Sequence, residues 1–202
     1  HQHRGTPEEP LISRLLLRSM ARAIYTPECS GHFGLAASYY CHFTSPIRRY
    51  PDLQIHRIIK DDLRGRLDKG GRIGKYSSIL QHVAEQSSAM EQRAAEAERE
   101  AVKLKKAEYM LEHVGEEYDG VISGVTGWGF YVELPNTVEG LVHIMTLKDD
   151  YYNFDEENYR LVGEQHGRVF RLGEPVRVRV RNAEPANRTI DFTYVEKETE
   201  TE

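Results

Sequence analysis

Residues 117–134 read EYDGVISGVTGWGFYVEL, and their grammar decides the architecture. Apolar and aromatic side chains recur with period two between glycines, the pattern of short strands rather than of a helix. Three later stretches repeat it: EGLVHIM at 139–145, PVRVRVRNAE at 175–184 and RTIDFTYVE at 188–196. Five short strands within 116–197 suit a small closed barrel of the OB type. Trp128, Phe130 and Tyr131 cluster beside glycines, with His143 close behind. Aromatics on a barrel surface form a stacking platform for single-stranded bases, although Phe130 reads equally well as packed core. Strict alternation places Trp128 and Phe130 on one face and Tyr131 on the other, unless a bulge at Gly129 rotates it.

Upstream of Gly115 the period changes to that of helices. Ile79, Val83, Met90, Ala94, Ala97, Ala101, Leu104 and Leu111 form a seam over about 76–114, and its alanines favour close docking on a domain over a self-associating coiled coil. A shorter helix is expected over 7–25, with Leu11, Leu15, Leu16, Met20 and Ile24 at helical spacing. The fold class is therefore α+β: a mainly helical portion over 1–115, a five-stranded barrel over 116–197 and an acidic tail over 198–202.

Between the helices lies HFTSPIRRYPDLQIHR, residues 42–57. Proline is tolerated in the first turn of a helix but not in its interior, so a helix through Leu53, Ile55, Ile58, Ile59 and Leu63 should start near Pro51. Arg48 and Arg49 then lie at or just before its N-terminus, where free N–H groups and the macrodipole favour an anion. Residues 42–75 carry nine basic and four acidic side chains, a local surplus of positive charge in a chain whose net charge is −5. The loop GRLDKGGRIGK is glycine-rich but lacks the GK[ST] opening of a phosphate-binding loop.

Composition excludes other classes. With 39% hydrophobic and 29% charged residues and a mean hydropathy of −0.62, the chain reads as soluble and globular, with no apolar run long enough for a bilayer. Its first residues show no signal-peptide core and no initiator methionine, so a fragment or processed chain is expected. Cys29 and Cys41 stand outside any ligand spacing and read as reduced, structural thiols of a cytoplasmic protein.

The pattern G-x-I-x-x-V-T-x-W-G-F-Y-V-E-L, followed by E-G-L-V-H-I, V-x-V-x-V and R-x-I-x-F, resembles an S1 domain, an RNA-binding OB-fold. The resemblance implies an RNA face made by Trp128, Tyr131, His143, Arg188 and an acidic position at Glu184, where the family commonly has Asp. At position 128 Trp stands for the usual Phe, which preserves stacking.

GHFGLAASYYCHFTSPIRRYPDL followed by HR resembles the end of the catalytic domain of the ribonuclease II/R family. EEPLISRLLLRSMARAIY before it and GLVHIMTLKDDYYNFDEE after it point to one branch of that family. The resemblance implies processive hydrolysis of RNA from its 3′ end with magnesium as cofactor. It also implies single-stranded RNA as partner, with the ribosome or the RNA-decay machinery as further candidates; no membrane is expected as partner, on the hydropathy above. It assigns Arg48 to the scissile phosphate and leaves Arg49 and Arg57 to the RNA backbone, with a structural pairing of Arg57 to Asp52 or Asp61 as the alternative. His42 and His56 read as packing or hydrogen-bonding residues; the resemblance matches Glu98 to a position near the family's active site, while its own sequence context reads as a solvated helix face. The family's magnesium-binding cluster, D-x5-D-x-D-D, is absent from the catalytic portion. Asp149, Asp155, Glu157 and Asn158 mimic its spacing inside the barrel region and are not expected to bind metal. The chain alone is expected to bind RNA without cleaving it. The rival reading is a non-catalytic RNA-binding module; a third makes the alanine-rich helix a protein-docking element.

Overall fold

A computed structural model describes residues 22–196 together with 13, 16, 17, 19 and 20. The chain divides into two compact units, Ala21–Glu98 and Arg99–Glu202 with His1–Met20. The helix expected over 7–25 lies largely outside the described residues; 13, 16, 17 and 19 are helical, but 22–25 have no regular structure.

In the first unit, helix α1 spans Tyr50–Leu63 and has Pro51 in its first turn. Its N-cap, Arg49, is extended and makes no side-chain cap. The preceding turn closes through the Ser45 carbonyl, which accepts from the N–H groups of Arg48 at 3.2 Å and Arg49 at 3.0 Å. Asp52, fully buried in the first turn of α1, accepts from the Ser45 N–H and from the Arg49 guanidinium, both at 2.8 Å. One carboxylate thus ties the basic loop to the helix and complements the positive end of its dipole. At the far end, Asp61 accepts from Arg72 at 2.5 Å and from the Tyr76 hydroxyl at 2.9 Å.

Helix α2 spans Arg72–Leu111, 40 residues or about 60 Å. Its last turns belong to the second unit, where Ala107 and Met110 are buried in the barrel core and Leu104 is half-buried. Ala94, Ala97, Ala101 and Leu111 are exposed instead, so the docked seam is short and passes through Met110, one residue from the expected Leu111. After the helix Gly115 turns at φ +94, and its N–H donates to the Val180 carbonyl at 2.8 Å.

Eight strands follow: β1 Glu117–Thr126, β2 Gly129–Glu133, β3 Glu139–His143, β4 Tyr152–Asp155, β5 Arg160–Gly163, β6 Val169–Arg171, β7 Pro175–Glu184 and β8 Thr189–Val195. Five close into a barrel in the order β1-β2-β3-β8-β7, antiparallel except for the parallel pair β3 and β8. Closure removes the free edges that an open five-stranded sheet would expose. Phe130, Val132, Val142, Val178, Val180 and Phe192 fill the interior.

The other three strands form a small sheet, β4-β5-β6, from the acidic, tyrosine-rich segment. Period two is weak there because each strand has only three or four residues, so the sequence reading passed over it. Its Phe170 stacks on Phe130 with centroids 4.6 Å apart, joining this sheet to the barrel core. Arg168 lies over the rings of Phe170 and Tyr194 at 4.7 and 4.6 Å. The Asp150 carboxylate accepts from the backbone N–H groups of Tyr151, Gln165 and His166. Burial raises its pKa, but these bonds outweigh it and hold the group below the ordinary carboxylate range.

Gly129 opens β2 at φ +147, and a Cβ there would stand 2.2 Å from the Val142 carbonyl oxygen. Both backbone strain and the clash oppose any side chain. Gly129→Ala is expected to destabilise the barrel by about 3 kcal/mol or more, read as a lower urea midpoint at unchanged slope.

Candidate functional site

The outer face of the barrel follows from the register. Phe130, Val132, Gly140 and Val142 point inward, so Tyr131, Leu141 and His143 emerge on the other side of β2 and β3. Tyr131 pairs with Leu141, and Leu141 with Asp191 of β8, which makes one continuous surface. Trp128 sits in the β1–β2 turn, 54% exposed, and its carbonyl accepts from the Ile144 N–H at 2.9 Å. That bond brings the indole-bearing turn to the end of β3, beside His143. His143 caps a short 3-10 turn, Ile144–Thr146, by accepting from the Met145 N–H through Nδ1 at 3.2 Å. A neutral ring bonded in this way carries its proton on Nε2, which leaves one donor for a ligand.

Phe130 is a correction. It has no solvent exposure and lies against Phe170, so it belongs to the core and cannot receive a base. Trp128 and Phe130 do not share a strand face either, because Trp128 lies in the turn before β2 begins. Arg188 occupies the β7–β8 hairpin at φ +58, and its guanidinium pairs with Glu100 of α2 at 2.9 Å. Lys103 shares that carboxylate at the same distance. The Lys103 hydrogen bond is the main cause of the lowered pKa of Glu100, with Arg188 adding to it. Glu184 is exposed at the end of β7.

In the basic segment Arg48 is exposed on the turn before α1. Arg49 is half-buried and held by Asp52 through one nitrogen and one oxygen, while Arg49 Nε and Asp52 Oδ1 have no partner. Arg57 is exposed; Asp52 takes Arg49 and Asp61 takes Arg72, so neither expected carboxylate pairs with Arg57. His56 stacks on Phe43 at 4.2 Å and donates from Nε2 to the Phe43 carbonyl, while His42 meets the Tyr25 hydroxyl at 3.3 Å. Glu98 is exposed on α2.

Burial raises the pKa of Asp52, but the Ser45 N–H and Arg49 outweigh it and leave the carboxyl below its ordinary value of 3.8. Asp61 is lowered too, chiefly by the Tyr76 hydroxyl and then by Arg72. Both carboxylates therefore stabilise the fold above the unfolded value, and that contribution is lost as pH falls through the lowered folded values. Asp52→Ala is expected to cost about 3 kcal/mol at neutral pH and to flatten acid unfolding, followed by helical circular dichroism.

Among the described residues no group of three His, Cys, Asp or Glu side chains is placed to hold a metal. Asp149 accepts from the Tyr152 hydroxyl at 2.6 Å, and Asp155 is taken by Asn158 and Arg160. Cys29 and Cys41 are free and exposed rather than buried. No helix among the described residues is long and apolar enough to cross a membrane.

Four side chains that the sequence reading did not select, Thr146, Arg181, Asn182 and Asp191, join Leu141, His143 and Phe192 around a hollow of about 440 Å³. Two of them are exposed by a register slip between Val180 and Asn182, which simple alternation conceals.

Comparison with known proteins matches residues 2–65 to the RNB domain and 112–194 to the S1 RNA binding domain. Ribonuclease R 1 of Lactococcus lactis is 49% identical over 195 residues, covering 96% of this chain and 24% of that protein. Ribonuclease R of Aquifex aeolicus is also 49% identical over 195 residues, covering 96% of this chain and 27% of its own length. The chain thus spans about a quarter of the curated relatives it matches. Among solved structures, Mycoplasma genitalium RNase R in complex with ribose methylated single-stranded RNA superposes with a TM-score of 0.87 at 26% identity, covering 96% of this chain and 30% of that one.

Proposed function

We propose, from the premise that this chain belongs to the ribonuclease R family, that it is the RNA-guiding part of an exoribonuclease that degrades single-stranded or 3′-tailed RNA from its 3′ end to nucleoside monophosphates. The observation that carries this reading is the closed barrel with Trp128, Tyr131 and His143 on its outer side. An indole and a phenol offer π faces that any base can stack on, and the imidazole Nε2–H adds a polar contact. Separately, Arg48 presents an exposed, permanently charged fork where the N-terminus of α1 already favours an anion, which suits it to the scissile phosphate. Arg49 supports it by fixing the loop through Asp52, and Arg57 adds positive charge along α1.

Among the described residues, no set of carboxylate or histidine side chains fits magnesium. In this proposal the ion's ligands lie elsewhere in the whole enzyme, which works in the cytoplasm, and the chain alone binds RNA without cutting it. The second reading, a non-catalytic module that covers or delivers transcripts, is favoured by the complete barrel and by the same lack of a fitting metal set.

The test is to incubate the purified chain with a 5′-labelled, 3′-tailed RNA and magnesium, following binding and length in the same tubes. Binding without shortening is expected, with affinity falling with salt at a log–log slope of about −0.7 per phosphate contact. Absence of binding would remove the RNA reading, and shortening would remove the assignment of the chain as inactive alone.

A further inference from the structure

The hollow on the barrel differs from a stacking platform in being lined mainly by polar side chains. Leu141 gives it an apolar side chain, Phe192 lines it while keeping its ring in the barrel interior, and its polar lining is His143, Thr146, Arg181, Asn182 and Asp191. The register slip in β7 sets two successive residues, Arg181 and Asn182, towards solvent, where alternation would have turned one of them inward. Asn182 is the direct partner of Asp191 across β7 and β8, and Leu141 its partner across β3 and β8. Among the described residues, Arg181, Asn182 and Asp191 spend no side-chain atom on a hydrogen bond or ion pair within the protein. Polar groups that converge beside an outward apolar side chain with their bonding capacity unspent are the makings of a ligand site, and the volume lies within the range of about 300–1,000 Å³ for such sites.

The chemistry of the rim narrows the ligand. An ionised carboxylate only accepts hydrogen bonds, so Asp191 seeks a donor edge in a partner whose backbone is itself anionic. Of the four RNA bases, guanine alone offers two neighbouring donors, N1–H and the N2 amine, on its Watson–Crick edge, matching both carboxylate oxygens at once. Guanine also carries acceptors at O6 and N7, for which His143 Nε2–H, the Asn182 amide and the Arg181 guanidinium are available donors. Uracil offers one donor on that edge, and cytosine and adenine one amine each.

We propose that this hollow is a guanine-selective subsite, with Asp191 reading the donor edge and Arg181 and Asn182 supplying donors at its rim. The proposal rests on the RNA-binding reading above. It makes one position of the bound strand specific on a surface that otherwise tolerates any base.

The test is fluorescence anisotropy of the whole chain with a labelled, single-stranded RNA of adenosines and uridines holding one central guanosine, compared with the same strand holding inosine, which lacks the N2 amine. The guanosine strand is expected to bind roughly tenfold tighter, the discrimination of one good bidentate contact. In Asp191→Asn that ratio should fall towards one, whatever the loss of a negative charge does to overall affinity. Equal binding of the two strands by the unaltered chain would overturn the subsite and leave the RNA reading standing. Failure to bind either strand would overturn both. The inosine comparison needs no substitution, so the proposal stays exposed to refutation even if Asp191→Asn fails to fold.

Discussion

Phe130→Ala is expected to unfold the barrel without acting on RNA recognition directly. The side chain is fully buried and stacked on Phe170, so truncation opens a cavity where the barrel meets the small β4-β5-β6 sheet. Losses for buried Phe→Ala changes run to about 3–5 kcal/mol, which corresponds to a fall in Tm of about 15 °C or more for a domain of this size. The informative comparison is with Trp128→Ala and Tyr131→Ala, whose side chains lie outside the interior. Those variants should melt close to the parent chain and lose about 1–3 kcal/mol of RNA affinity per stacking contact. Thermal melting and anisotropy on the three proteins separate core from platform. A Phe130→Ala protein with an unchanged Tm and weakened RNA binding would reverse the assignment.

Arg48→Ala, made in the full-length enzyme, is expected to lower turnover by about a hundredfold to a thousandfold while leaving the melting temperature in place. The guanidinium is exposed on a loop closed by backbone bonds to Ser45, so its removal costs the fold little. Its proposed work is on charge that grows at the phosphate as the reaction proceeds, which places the loss in kcat more than in substrate affinity. Arg48→Lys should recover part of the rate, since the charge remains but the planar fork is gone. Arg49→Ala should behave differently, because it strips the buried Asp52 carboxylate of its cationic partner and so lowers stability as well as rate. An Arg48→Ala enzyme with normal turnover would end the assignment to the scissile phosphate.

The barrel was legible because its cause is local. Alternating Val, Ile and aromatic residues between glycines need neighbouring strands, and turn residues fix where each strand stops. The start of α1 at Tyr50 was legible for a similar reason, since Pro51 can occupy only a first turn. The small sheet was not, because strands of three and four residues carry too few periods, and their stability comes from Phe170 and Arg168 packing onto distant rings. The docked seam of α2 was misplaced by one residue because the sequence shows many apolar positions and the barrel covers only a few of them.

Sequence by itself thus determined the helices through 50–63 and 72–111, the five-stranded closure, the position of the basic segment and the residue types that suit RNA. These depend on periodicity and backbone restriction, which act over a few neighbours. Only the tertiary structure decided which aromatic is buried, which carboxylate holds which arginine, and that Asp191, Asn182 and Arg181 meet beside His143 around one hollow. The carboxylate pairings depend on how the loop and the two helices pack, whereas the buried aromatic and the hollow turn on strand register and the β7 bulge, where a shift of one residue sends a side chain to the opposite face.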